Sequence, residues 1–341
     1  MDAMQGSQLG NSSQALQSQF SCGCDNAKKT EYNCDGTSIT RENGRVEFNA
    51  GSGDDNIDVR QNCDGSTDVT CNGRTYHFTA EESKNLVING GAGNDNITVS
   101  GHPPACSENK LALKGGSGDD VITGGSGNEK IFGGSGDDTL SGGAGDDQIH
   151  GGTGDDTIDG GAGNDQLFGN SGNDTMRGGS GDDKVSGGNG EDTLEGNSGD
   201  DHLDGGIGND RLDGGSGDDL LGGQSGDDEL IGGSGDDAIV GGRGDDIIWG
   251  GSGDDYIDTR QGNDCVKDAE CGDTIIRDRS CLVVDQVEDN CDVDNSAPEQ
   301  NGAQQDSGSG LPSFLDPLGL FGGGGPNLSG GGFPLNMISF R

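Results

Sequence analysis

The chain has 341 residues, 72 of them glycine; it is 27% hydrophobic and 4% aromatic, and its formal net charge is −43. So little apolar surface with so high a charge is the composition of a disordered acidic polymer, and it excludes an ordinary globular core. The same charge excludes nucleic acid and anionic membranes as partners and favours cations, and no apolar run approaches the roughly 20 residues that span a bilayer.

In chain order, residues 1–44 form a polar N-terminal segment. Met1 to Phe20 hold no Lys or Arg and no apolar stretch, so no Sec-type leader is expected there. Their Ser, Gln and Asn content suits a type III-like export signal instead. Cys22, Cys24 and Cys34 are poorly spaced for zinc, with no His near. Residues 45–114 hold three strand-like segments, Arg45–Phe48, Leu86–Ile88 and Leu111–Leu113. The first two run into the phrases AGSGDDNID from Ala50 and GGAGNDNIT from Gly90. They read as wider rungs of the array that follows, interrupted by cysteine-bearing insertions and forming an N-terminal cap.

From Gly115 to Lys267 the chain divides into seventeen nonapeptides without an insertion. The unit is Gly-Gly-x-Gly-x-Asp-x-aliphatic-x, as in GGSGDDTLS from Gly133. Position four is always Gly, position six is Asp except at Glu129, and position eight is always aliphatic or Met. A disordered tract has no reason to hold one apolar residue in phase seventeen times, so that position is buried. Position seven alternates: Val121, Thr139, Thr157, Thr175 and Thr193 in odd units, Lys130, Gln148, Gln166, Lys184 and His202 in even ones. Alternate units therefore share an environment, and the structural repeat is eighteen residues, two strands and two turns. Each x-aliphatic-x triplet is read as a short strand with its central side chain inward. Each Gly-Gly-x-Gly-x-Asp is read as a turn. The expected fold is all-β, a right-handed parallel β-roll with disulfide-containing caps.

This array resembles the repeats-in-toxin (RTX) family of hemolysin-type calcium-binding repeats. In an eighteen-residue coil each turn lies over the turn eighteen residues on, about 4.8 Å away, so an ion fits between two turns. Calcium takes six to eight oxygens from carboxylates and carbonyls. The resemblance implies the same arrangement here, with the ligands Asp120, Asp138, Asp147, Asp156, Asp165, Asp174, Asp183, Asp192, Asp201, Asp210, Asp219, Asp228, Asp237, Asp246, Asp255 and Asp264. Pairing alternate units gives up to fifteen calcium sites. Glu129 is one methylene too long, and Arg260 at position two marks the end of regular turns. Stacked carboxylates repel. Burying one aliphatic side chain per nonapeptide falls short of the cost of ordering the array, so calcium is the term that decides folding.

Beyond the array, residues 268–294 form a C-terminal cysteine-containing cap in which Asp273 keeps the phase, with Cys265–Cys271 and Cys281–Cys291 as expected bridges. Residues 295–341 are a flexible Gly-rich tail, in which the resemblance implies a type I secretion signal. His77, His102, His150 and His202 are scattered and no catalytic motif appears, so no enzyme is expected. The reading is a monomeric, secreted, extracellular bacterial calcium-binding protein. Its rivals are an adhesin or surface module with a cell-surface or carbohydrate ligand, and an accessory module of a secreted toxin or hydrolase. Ile231, Ile247 and Trp249, or the stacked threonines, would serve a binding face.

Overall fold

The computed structural model describes residues 29–32, 36–101, 111–269 and 272–277. The chain is an all-β parallel solenoid whose coil is eighteen residues. Leu140 pairs across one rung with Ile158, and Ile131 with Ile149, in separate sheets. Among the described residues the two sheets hold fourteen and thirteen strands.

The strands are longer than the expected triplets. Thr139–Ala144, for example, runs six residues through Thr-Leu-Ser-Gly-Gly-Ala, with Leu140 and Gly142 facing inward. The ladder continues because glycine lets the strand bend without leaving it: Gly134 still pairs with Gly152 although both have left-handed φ. Positions two and four are the left-handed pair that turns the corners from Gly115 to Asp255, except at Gly125 and Gly127, as at Gly152 (φ 128) and Gly154 (φ 120). Asn170, Asn197 and Gln224 take the same angles at position two, at φ 76, 77 and 73. After Tyr256–Thr259 the pattern stops: Arg260 and Gly262 do not adopt left-handed φ, and Arg260 turns onto Asp258.

Inside, the position-eight side chains form two facing columns, from Ile131 to Ile257 and from Ile122 to Val266, each nearly inaccessible to solvent. On the outer face Phe132, His150 and Phe168 stack one per rung, with centroids 5.1 and 4.6 Å apart. That spacing is the rung spacing of a parallel sheet.

The N-terminal coils belong to the same solenoid. β1 (Lys29–Tyr32) and β2 (Ser38–Glu42) lead into β3 (Arg45–Ser52) and β4 (Asn56–Gln61). A hairpin, β5 (Thr67–Cys71) and β6 (Arg74–Phe78), and a capped single turn, α1 (Ala80–Ser83), precede β7 (Leu86–Ala92) and β8 (Asn96–Gly101). β9 (Ala112–Ser117), β10 (Val121–Thr123) and β11 (Lys130–Ser135) open the array. β3 pairs in parallel with β7, and β7 with β9; β4 pairs with β8, and β8 with β10. The rungs read at Arg45, Leu86 and Leu111 are thus continuous with the repeats. Antiparallel β2 and β1 extend one sheet and the β5–β6 hairpin the other, so each sheet ends here on a short antiparallel strand, β1 or β6, and not on a rung of the parallel coil. Here the core is aromatic, with Phe48 against Tyr76 and Phe78. Both hairpins turn on Asn-Gly, Asn43-Gly44 between β2 and β3 and Asn72-Gly73 between β5 and β6, with left-handed φ at all four residues; this dipeptide is a hairpin signal that the sequence reading above did not use.

No disulfide is found among the described residues. Cys271, Cys281 and Cys291 lie outside them, as do the export signals read at the two termini and the 295–341 tail.

The corner geometry sets an expected asymmetry. A methyl on Gly152 would overlap the Gly134 carbonyl oxygen on the neighbouring coil as well as strain its φ. Gly152→Ala should cost about 1–3 kcal/mol, whereas Asn170→Gly, at the equivalent corner position, should change stability by less than about 1 kcal/mol. Thermal melts in calcium check this. Equal midpoints for the two variants would show that the corner is not the constraint it is taken to be.

Candidate metal sites in the two turn columns

The two corners of each coil stack into two columns of turns. The first runs through Asp120, Asp138, Asp156, Asp174, Asp192, Asp210, Asp228, Asp246 and Asp264. The second starts at Glu129 and runs through Asp147, Asp165, Asp183, Asp201, Asp219, Asp237 and Asp255. All sixteen aspartates singled out in the sequence are buried in these columns, one coil apart.

Each of these carboxylates is half used. Oδ1 accepts a hydrogen bond from the backbone N–H of the position-six residue one coil earlier: Asp120 to Asp138 at 2.8 Å, Asp165 to Asp183 at 2.7 Å, Asp183 to Asp201 at 2.8 Å. Oδ2 is buried and makes no hydrogen bond in Asp95, Asp120 or any of the column aspartates from Asp138 to Asp255. It lies against the first glycine of its own turn, as Asp138 Oδ2 against Gly133, where any Cβ would displace it. Position one is glycine for this reason, not for its φ.

A second ladder lies outside the first, at position five. There the side chain of one coil accepts from the N–H of the next: Asp155 to Asp137 at 2.9 Å, Asp182 to Asn164 at 3.1 Å. The polarity is opposite to that of position six, so a pair of turns that makes both bonds is clasped in both directions. This position is Asp or Asn in every unit except the one with Glu191, and Asn209 makes no such bond to it. The restricted residue choice was the available signal, and the sequence reading passed over it.

The first column also extends beyond the array. Asp95 N–H donates to Asp120 Oδ1 at 2.7 Å, and Asp55 N–H to Asp95 Oδ1 at 2.8 Å. The second column is extended at the opposite end of the array, where Asp255 N–H donates to Asp273 Oδ1 at 3.1 Å. Asp95 was missed because an insertion breaks the nine-residue spacing after it. The phrase Gly-Asn-Asp-Asn-Ile, in phase with its strand, marks it.

The donors are all oxygens. Among the described residues no three His, Cys, Asp or Glu side chains converge on one point, so a bound ion would draw on two stacked carboxylates and on backbone carbonyls. That set suits a hard cation of high coordination number, calcium above zinc. The buried, unsatisfied Oδ2 atoms are the direct sign of fit, since a buried ionised oxygen needs a partner.

Burial dominates the electrostatics. It pushes Asp147, Asp156, Asp183, Asp201, Asp210, Asp228, Asp237 and Asp246 up to about 7 from 3.8. Asp95, Asp120, Asp138, Asp165, Asp174, Asp219 and Asp255 rise to about 6 for the same reason. In each the amide bond to Oδ1 opposes the rise, and neighbouring carboxylates, such as Asp165 and Asp182 around Asp183, add to it.

On the outer faces Thr139, Thr157, Thr175 and Thr193 fall in register, and Ile231 lies beside Trp249 on adjacent rungs.

A family model described as the RTX calcium-binding nonapeptide repeat (4 copies) matches residues 87–101, 112–140, 132–167, 141–176, 159–194, 168–203, 195–230 and 231–264. No curated protein matches the chain.

The raised carboxylates fix a pH dependence. Their folded pKa lies above the unfolded value, so without metal the fold binds more protons than the coil between about pH 4 and 7. Its stability is greatest below that window and is lost as pH rises through it. Calcium-depleted protein should therefore gain β-structure on acidification from about pH 7 to 4, and calcium affinity should fall over the same range. Circular dichroism and calcium titration along a pH series check both. Calcium affinity independent of pH below about 6 would contradict the burial of these groups.

Proposed function

The chain belongs to the RTX calcium-binding nonapeptide repeat family, and on that footing we propose that it is a secreted, monomeric, non-enzymatic protein whose roll closes when calcium fills the gaps between stacked turns. The observation that carries this reading is the rank of buried Oδ2 atoms without a protein partner. A protein that folded without cations would have no use for them. The Asp95–Asp120 and Asp255–Asp273 gaps extend the series beyond the fifteen between nonapeptides. A right-handed coil accords with the general rule for parallel crossovers. Disulfides among the flanking cysteines complete the reading. Secretion accords with it because extracellular calcium modules bind at about 10⁻⁴–10⁻³ M, so low intracellular calcium would keep the chain open for export. The apolar pair Ile231 and Trp249, with the half-exposed Ile247 beside them, supports an adhesive role as the second reading.

Circular dichroism should show little β signal in chelator and a cooperative gain in millimolar calcium. Equal β content in both conditions would falsify the proposal.

Interior ligands should outweigh terminal ones. Asp183 is bonded to both neighbours, accepting from Asp165 and donating to Asp201, whereas Asp264 closes the array's regular end. In a solenoid each coil depends on its neighbours, so a central defect divides the array and a terminal one shortens it. Asp183→Ala should raise the calcium midpoint and broaden the transition more than Asp264→Ala does. An equal effect of the two would count against stacked, shared sites.

A further inference from the structure

The second column begins differently from all the turns that follow it. In the two coils before the array, longer connections take the place of a Gly/Asp turn between the strands: the stretch from β4 to β7 that holds the hairpin and α1, and the connection from β8 to β9. The first Gly/Asp turn of the second column is Gly124–Glu129.

Four features of this turn depart together from the pattern. Position six is Glu. Gly125 and Gly127 lack the left-handed φ that positions two and four adopt in every other turn from Gly115 to Asp255. β10 ends at Thr123, three residues long, where the strands after it reach six. The carboxylate also sits elsewhere. In the aspartate turns Oδ2 lies against position one and Oδ1 reaches the preceding coil. Glu129 instead folds back into its own turn: Oε2 accepts from Gly125 N–H at 3.0 Å, while Oε1 is buried against Gly127, inside that turn, and like the column Oδ2 atoms makes no hydrogen bond. The extra methylene is what allows this reach; an aspartate at 129 would be too short to close the same ring. The amide of Glu129 still donates to Asp147 Oδ1 at 2.7 Å, so the rung to the next turn is kept.

Resting on the calcium reading above, we propose that Gly124–Glu129 closes on its own carboxylate through Oε2 and shares no ion with the Asp147 turn, so that the Glu129–Asp147 gap binds no calcium. The gap has lost one of its two facing carboxylates to an intramolecular bond. The corner thus passes from these longer connections, through a turn closed by its own side chain, to turns closed by ions. The consequence is a first array coil that stays joined to the aromatic N-terminal core at any calcium concentration. It offers the next coil a formed edge to add to.

The test is to count calcium bound by the full chain at saturation, by native mass spectrometry, for the wild type and Glu129→Asp. Glu129→Asp restores the short carboxylate and should bind one more calcium ion. Identical counts, with many ions in both, overturn the inference and leave the family reading intact. No calcium in either overturns both. Hydrogen exchange on the calcium-depleted wild type gives a measurement that needs no variant. The Gly125 amide should exchange at least about tenfold more slowly than the amides of Gly143 to Asp147. Equal rates at the two turns would show that Glu129 does not close its own.

Discussion

Two columns of carboxylates, each group about one rung from the next, are the feature on which the rest of the molecule depends. At that spacing like charges repel strongly, and the repulsion grows as water is excluded. The protein answers half of the problem itself: a backbone amide from the adjacent coil holds each Oδ1. The other half, Oδ2, is buried against glycine and meets no donor. Protonation or a divalent cation can satisfy it.

The glycines follow from the same geometry, for different reasons at different positions. Position one must be small because the carboxylate lies on it. Positions two and four must bend left-handed while their Cα atoms approach the carbonyls of the neighbouring coil. Asn170, Asn197 and Gln224 show that a side chain can be accommodated at position two. No regular turn has anything but glycine at position four. The strand through Gly-Gly-x could not have formed from residues with ordinary φ, so the longer ladder and the turn are one device.

Much of this was legible because repetition multiplies a weak signal. One aliphatic residue in nine means little; the same phase held from Ile122 to Val266 specifies a buried column, and the alternation at position seven specifies an eighteen-residue coil. Both were confirmed by the pairing of Leu140 with Ile158. What could not be read lay where repetition fails. The six-residue strands depend on a backbone continuity that glycine conceals in sequence. The position-five ladder was hidden because Asp and Asn there look like generic polar filling until the N–H they accept from is located. Asp95 occurs once, whereas the β2–β3 and β5–β6 hairpins were marked by Asn43-Gly44 and Asn72-Gly73 and could have been read. Whether a lone Gly-Asn-Asp-Asn-Ile joins a column depends on what a long insertion does, which no local pattern reports. Glu129 was seen as a flaw in a ligand set, but its reach back to Gly125 is a matter of conformation.

Placement of the insertions shows which constraint is the stronger. Asp55 and Asp95 are 40 residues apart, and Asp95 and Asp120 are 25 apart, yet their amide–carboxylate bonds are the same as those between residues 18 apart. Column register therefore does not come from counting residues. It comes from the turn, whose carboxylate must find an amide one rung away. An insertion is tolerated only where it leaves that pair untouched, and both lie at the opposite corner. The first column is thus continuous from the aromatic N-terminal core to the end of the array. The second exists only where the nonapeptides follow one another directly. A solenoid built this way can lengthen by adding nonapeptides at its C-terminal end, since each new turn needs only the one beneath it. It can vary only at the corner where no carboxylate column passes.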